Sequence, residues 1–262
     1  MHSYRFFTKY YDQIVRGSGY DLEAEIELID HLINRFTLHR KNIFELACGT
    51  GVVAKELIKL WYNVRGLDLS WHMLEKAKEN IWEDRCFHWD MTNFEIDQAQ
   101  DIVLCNYNSI CHLIEWEDWL KMFNCSYKSL RQWGLLIFDI NTIWEFENIT
   151  RDFSSFFNIW DDTVCLEMEK KNFRDLWVDI WDEKYEKRTD FSFYRWLVKM
   201  FIKTWKKQYE LVEEVVDENS FEIDDIKKAL KEIWFEVLHL EDFHKWVVDK
   251  ESERVYFVAK KR

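Results

Sequence analysis

Ile43-Phe44-Glu45-Leu46-Ala47-Cys48-Gly49-Thr50-Gly51 is a short apolar run that ends in a turn of small residues, and Val52-Val53-Ala54-Lys55-Glu56-Leu57-Ile58 follows at helical spacing. That order predicts a buried parallel strand over 43–47, a tight loop, and a helix over 52–61. Gly49 and Gly51 have no Cβ, so the loop can take left-handed dihedrals and a ligand can approach its backbone closely. Nineteen residues after Gly49, Asp68 closes a second apolar run over 64–68. A nucleotide-binding βαβ unit places there the carboxylate that accepts from ribose hydroxyls. A glycine pair alone is weak evidence. Strand, loop, helix, strand and acid in register are much stronger.

Three stretches, Glu45 to Gly51, Gly66-Leu67-Asp68-Leu69-Ser70 and Met73-Leu74, resemble the class I S-adenosylmethionine-dependent methyltransferases. Within them the sequence is similar to small bacterial enzymes that include the dTDP-aminosugar N,N-dimethyltransferases. The resemblance covers nearly the whole chain and thins between about Phe153 and Ser220. It implies an α/β fold of Rossmann-like type: a seven-stranded, mostly parallel sheet whose last strand is antiparallel, with a β-rich lid inserted. It also implies S-adenosyl-L-methionine as cofactor, held by Glu45, Ala47, Cys48, Gly49, Thr50, Gly51, Asp68, Leu69, Met73, Asp90, Met91 and Asn106. A dehydrogenase uses a related loop, but here the pattern is Gly-x-Gly without a third glycine, which disfavours it.

Composition narrows the partners. A chain of 262 residues suits one α/β domain with an insertion, and 48% hydrophobic residues supply an ample core. The net charge of −13 argues against nucleic acid, whose phosphates reward Lys and Arg. No uncharged run is long enough to span a bilayer, and the polar start Tyr4-Arg5-Phe6-Phe7-Thr8-Lys9 does not read as a secretory leader. A cytoplasmic location is the expectation. The six cysteines (48, 86, 105, 111, 125 and 165) form no Cys-x-x-Cys pair, so neither a metal site nor a disulfide framework follows. Proline is absent and glycine numbers 6, where ordinary usage gives about 13 and 18. Trp61, Trp89, Trp133 and Trp234 stand where the resembling family has turn glycines.

Along the chain, aromatics crowd residues 4–16 and end in Tyr10-Tyr11-Asp12, which the resemblance places in a lid over the cofactor. A helix carries Leu22, Ile26, Ile29, Ile33 and Phe36 on one stripe. After the first βαβ unit and its helix 71–80, strand three reads as Cys86-Phe87-His88-Trp89. Asp90 and Met91 then stand where the family contacts adenine. Strand four, 101–105, leads into Asn106-Tyr107-Asn108-Ser109-Ile110-Cys111-His112, at the sheet edge where ligands of open α/β sheets collect. Helix 116–131, a turn at Arg131-Gln132-Trp133-Gly134 and strand five, 135–140, follow, and Asp139 closes the front edge. Residues 143–218 alternate aromatic and charged side chains without a helical stripe, and Ile159 to Asp182 and Phe191 to Val216 read as antiparallel strands. Arg195, Lys199, Lys203 and Lys207 recur every four residues, so a basic amphipathic helix for membrane or RNA is the alternative to a sheet with a solvated face. Helix 222–232, strand 235–240 and a last strand near 254–259 complete the pattern.

The expected organisation is a cofactor-binding core of residues 1–142 and 219–262, and a lid of 143–218 that shapes the acceptor site. The expected reaction is methyl transfer to a small-molecule acceptor, an amine, with no metal, no nucleic acid and no membrane as partners. A homodimer is compatible with the sequence. His112, Ser109 and Tyr11 are the candidate catalytic residues. The other reading is a catalytically silent binder or scaffold, because bulky residues at turn-glycine positions strain the backbone.

Overall fold

The computed structural model describes residues 4–17, 21–37, 41–149, 153–172, 192–206 and 208–262. Ile43, Phe44 and Leu46 are fully buried because β1 (Asn42–Leu46) runs between parallel partners on both sides, β2 (Asn63–Asp68) and β4 (Gln100–Cys105). Such a strand must be apolar on both faces. Its alternate residues feed two cores. Phe44 and Leu46 join Val103, Phe138 and Phe257 in one, and Ile43 joins Ile102, Ile137 and Val258 in the other. The full sheet has seven strands in the order β10-β11-β5-β4-β1-β2-β3, adding β3 (Cys86–His88), β5 (Leu130–Asn141), β10 (Phe235–Asp242) and β11 (Arg254–Lys261). Pairing is parallel except where β11 runs antiparallel to both β5 and β10.

Helices cover both faces. On the first, α5 (Trp116–Ser129) brings Trp119, Met122 and Phe123, and α7 (Ile223–Glu232) brings Ile226 and Leu230. On the second, α2 (Leu22–Phe36) brings Ile29, Leu32 and Ile33, while α3 (Val52–Lys59) brings Ala54 and Leu57. Asp21 caps α2 by accepting from the Ala24 N–H at 3.0 Å, and Ser70 caps α4 (Trp71–Asn80) by accepting from Met73.

A separate four-stranded antiparallel sheet holds β6 (Ser154–Ile159), β7 (Asp162–Asn172), β8 (Ser192–Trp205) and β9 (Gln208–Glu218) in sequential order. It follows α6 (Ile143–Ile149), a short helix that the aromatic-charged alternation concealed. The parts of the expected strands at 173–182 and at Phe191 lie outside the described residues. The basic row is strand rather than helix. Arg195 pairs with Asp217 at 2.7 Å, Lys199 with Glu167 at 2.7 Å and Lys203 with Asp161 at 2.9 Å, which is a solvated face; Lys207 is outside the described residues. The opposite face of this sheet packs Val164, Val198 and Met200 against Phe7, Tyr10 and Ile14 of α1 (Thr8–Gly17) and the residues before it. Among the described residues, no helix is long and apolar enough to cross a membrane.

Several boundaries differ from the sequence pattern. Helix α3 stops at Lys59, two residues early, because Trp61 turns the chain at φ 68°. Helix α5 stops at Ser129, and the expected turn at 131–134 is an irregularity within β5, with Trp133 at φ 65°. Trp234 likewise takes φ 72°. Trp89 does not: it stacks on Phe87 at 4.6 Å and packs against the core, so no left-handed turn exists there. A side chain in the left-handed region costs about 1–2 kcal/mol. Trp61 and Trp234 are 86% and 71% exposed, so their indoles recover little by burial. Trp61→Gly and Trp234→Gly are each expected to stabilise the fold by about 1 kcal/mol, raising the thermal midpoint by about 2–4 °C. A fall in the midpoint in calorimetric scans of either variant would contradict the strain argument.

Candidate active site

The carboxyl ends of β1, β2 and β4 lie together where the strand order reverses, between β1 and β4. The β1–α3 loop coils tightly there: Ala47, Gly49 and Gly51 have φ of 50°, 55° and 74°. Cys48 N–H donates to the Leu67 carbonyl at 2.8 Å, and Gly51 N–H donates to Cys48 at 2.9 Å. A Cβ on Gly51 would lie 3.2 Å from Ala77 of α4, and one on Gly66 would lie 2.7 Å from the Cys48 Cβ. Both glycines are demanded by close approach, Gly66 to the loop and Gly51 to the second helix.

Asp68 locks this loop from below. Its Oδ2 accepts from Gly49 N–H at 2.8 Å and its Oδ1 from Ser70 N–H at 2.7 Å. Burial raises its pKa, and these two backbone donors oppose that rise. Each oxygen keeps a second lone pair, so the clamp does not use up the carboxylate. Above the loop, Thr50 donates its hydroxyl to Asp12 of α1 at 2.7 Å.

Tyr11, Glu45, Ala47, Cys48, Gly49, Thr50, Asn106 and Ser109 line one cleft, with Asp12 and Tyr107. Gly51 stands behind it at the start of α3. The remaining sites implied by the resemblance are elsewhere. Leu69 is 67% exposed, and Met73 is buried on the inner face of α4. Asp90 is exposed and caps its own turn, accepting from Thr92 N–H at 2.7 Å and from the Thr92 hydroxyl at 2.8 Å. Met91 packs against the core beside Trp89. The cleft lining thus includes Glu45, Ala47, Cys48, Gly49, Thr50 and Asn106 of the expected cofactor set, and leaves out Gly51, Asp68, Leu69, Met73, Asp90 and Met91.

The electrostatics of the cleft are acidic. Glu45 is buried, its Oε2 has no hydrogen-bond partner among the described residues, and burial with Asp68 nearby pushes its pKa up to about 8. Asn106 Nδ2 is also unpartnered, while its Oδ1 accepts from the Tyr256 hydroxyl at 2.7 Å. The Ser109 hydroxyl is committed to the Asn106 carbonyl at 2.6 Å, which makes it a turn cap rather than a free nucleophile or acid. Tyr11 lies edge-on to Tyr4, with ring centroids 5.7 Å apart, and burial holds both phenols well above their ordinary pKa. Neither is a base near neutral pH.

His112 ends the short turn after β4, next to the cleft. Its Nε2 is 3.3 Å from the Tyr4 hydroxyl, and its Nδ1 is 3.5 Å from Oε1 of Glu218 on β9. Trp196 holds the other Glu218 oxygen at 2.8 Å. Sequence reasoning missed Tyr4 and Glu218. It also missed a buried ion cluster under the turn, in which Arg254 bridges Glu25 at 2.6 and 2.7 Å and Asp139 at 2.5 Å. Asp139 accepts in addition from Asn108 N–H at 2.8 Å. Burial pushes the Asp139 carboxyl up to about 6. Tyr107 and Asn108 both adopt positive φ, 58° and 45°, a conformation costing about 1–3 kcal/mol per residue. The cluster leaves one sequence cue, Arg254 two residues before Tyr256 on a strand, which puts both on one face.

Residues 43–134 match the family model described as a methyltransferase domain. A protein of Geobacillus sp. (strain WCH70), provisionally named a methyltransferase, is 28% identical over 99% of this chain and 100% of its own length. The dTDP-3-amino-3,6-dideoxy-alpha-D-glucopyranose N,N-dimethyltransferase of Streptomyces fradiae is 31% identical over 39% of this chain and 40% of its own. The crystal structure of a S-adenosylmethionine-dependent methyltransferase from Clostridium acetobutylicum ATCC 824 superposes with a TM-score of 0.77 at 22% identity, covering 98% of each chain. Residues 43–134 thus carry a methyltransferase domain, and the chain has the fold of the S-adenosylmethionine-dependent methyltransferases.

The unpartnered Glu45 and Asn106 atoms suit the polar methionyl end of that cofactor, so the cleft fits it. The raised Glu45 pKa has a sign that can be worked out. The native state holds a proton on Glu45 that the unfolded chain releases above about 4.5. Its contribution is therefore fully present below pH 4.5 and is lost as pH rises through about 8. Relative to the native protein, Glu45→Gln is expected to gain stability between pH 5 and pH 8, measured by urea unfolding at both values. Parallel pH dependence in the two proteins would contradict the burial argument.

Proposed function

We propose that the protein methylates the amino group of a small molecule, with His112 accepting the amine's proton and residues 143–218 completing the acceptor pocket. The observation that carries this reading is the meeting of Tyr4, His112 and Glu218 beside the loop, contributed by the N-terminal segment, the turn after β4 and the last strand of the second sheet. Bound S-adenosylmethionine supplies a methyl group already activated on a sulfonium, so the chain's tasks are alignment, exclusion of water and proton transfer. The acidic side chains of Asp68 and Glu218 with the rings of Tyr4, Tyr11 and Tyr107 favour a cationic or amine-bearing guest. An amine attacks only when neutral, and imidazole has an ordinary pKa of about 6.5, which suits uptake of its proton. Glu218 Oε1 lies 3.5 Å from Nδ1 and orients the ring. Tyr11, neutral by burial, positions rather than ionises. The N,N-dimethyltransferase name of the Streptomyces fradiae relative supports an amino sugar as the acceptor class.

The silent-binder reading loses its support from the tryptophans. Trp61, Trp133 and Trp234 are strained on exposed corners, and none lines the cleft.

Two measurements test the reading. In His112→Phe, turnover on an amino-sugar acceptor is expected to fall about 10²-fold or more and the ascending limb of the pH profile to disappear, with affinity for S-adenosylhomocysteine nearly unchanged. An unaltered pH profile would reduce His112 to packing. In Asp68→Ala, loss of the charged acceptor of Gly49 and Ser70 N–H, each bond worth about 1.5–3 kcal/mol, is expected to weaken S-adenosylhomocysteine in calorimetry by at least tenfold. Undiminished affinity there would detach Asp68 from the cofactor site.

A further inference from the structure

The turn that leaves β4 carries two consecutive side chains in the left-handed region, Tyr107 and Asn108, and neither is glycine. Such a pair persists only when its surroundings over-determine it. The surroundings trace back to one side chain. Arg254 is 8% exposed and spends its donors in two directions. Nε goes to Asp139 Oδ2 at 2.5 Å, and the same oxygen receives the Asn108 N–H at 2.8 Å. The terminal nitrogens go to Glu25 at 2.6 and 2.7 Å and to the Tyr256 hydroxyl at 3.0 Å. That hydroxyl donates in turn to Asn106 Oδ1, leaving Asn106 Nδ2 as the free donor of a cleft-lining residue. The guanidinium also lies 5.2 Å from the Tyr107 ring centroid.

A buried ion cluster is poor evidence of stability in itself, since apolar residues of equal volume often do as well. This one is informative because its outer contacts end on three successive residues, of which Asn106 and Tyr107 line the cleft. The geometry points to Arg254 as a positioning residue for methyl transfer, which holds Asn106, Tyr107 and Asn108 in the conformation that receives the cofactor. The inference rests on the reading of the cleft as the cofactor's site. Lysine cannot replace Arg254, because a single ammonium cannot bridge Glu25 and Asp139 at once.

The test uses the full chain and four variants: Arg254→Met, Arg254→Lys, Asn108→Gly, and Arg254→Met combined with Asn108→Gly. Amide hydrogen exchange of residues 106–112 is followed beside calorimetric affinity for S-adenosylhomocysteine. Arg254→Met and Arg254→Lys are expected to speed exchange in that segment tenfold or more, leave β1 and α3 unchanged, and weaken the ligand about 30-fold. Glycine adopts positive φ unaided, so Asn108→Gly in the Arg254→Met background is expected to restore at least fivefold of the lost affinity. A structural role elsewhere in the core predicts no such rescue. Affinity within threefold of the native protein in Arg254→Met, or a folded double variant no better than the single one, overturns the assignment. If Arg254→Met does not fold, Tyr256→Phe replaces it and is expected to show the same two changes at about tenfold. Failure of the native protein to bind S-adenosylhomocysteine would refute the cofactor reading, while exchange at 106–112 would still decide whether Arg254 holds the turn.

Discussion

The carboxylate of Asp68 ties together the two loops that leave β1 and β2. Parallel strands must end in loops on the same edge, and nothing in the ladder itself fixes how those loops sit relative to one another. Asp68 supplies that fix by accepting one backbone donor from each, Gly49 N–H and Ser70 N–H. Burial raises the cost of its charge, and the two donors oppose that cost at the end of an interior strand. The close approaches at Gly51 and Gly66 follow from the same clamp. With the loop drawn down onto β2, no Cβ fits at either position without displacing Ala77 or Cys48.

The second sheet is joined to this edge through α1. Phe7, Tyr10 and Ile14 bury one face of the helix in the sheet, and Asp12 reaches the other way to Thr50. Tyr10 completes the seam by donating to Asp162 at 2.7 Å. One short helix therefore reads the position of both sheets, and the tyrosines beside it close over His112. Proton acceptance at His112 would thus depend on three segments far apart in sequence, Tyr4, the turn after β4, and Glu218.

The sheet was legible in the sequence because its strands are apolar on both faces and its loop carries glycines at fixed spacing. Of the residues that the resemblance implied, Glu45, Gly49, Thr50 and Asn106 line one cleft. Asp90, which the resemblance placed against adenine, caps its own turn, and a local Asx turn and a ligand contact call for the same residue type. The resemblance also could not reach Glu218 or the Arg254 cluster. Those contacts join residues more than a hundred positions apart, as in the pairing of Glu25 with Arg254, and no local period records them. Helix α6 escaped for the opposite reason, being too short for a stripe to form.

The tryptophans on the turns have an optical consequence. Trp61, Trp133, Trp160, Trp234 and Trp246 all sit at positive φ with between 51% and 86% of their surface in water. Their emission is that of solvated indole whether the cleft is open or closed, and it overlays the signal of Trp196, whose ring nitrogen is bonded to Glu218 beside His112. Native fluorescence is therefore a poor reporter of events at the cleft. Trp196 becomes a local probe of the seam between the two sheets only when the other tryptophans are replaced as well, exposed Trp71, Trp82 and Trp205 among them.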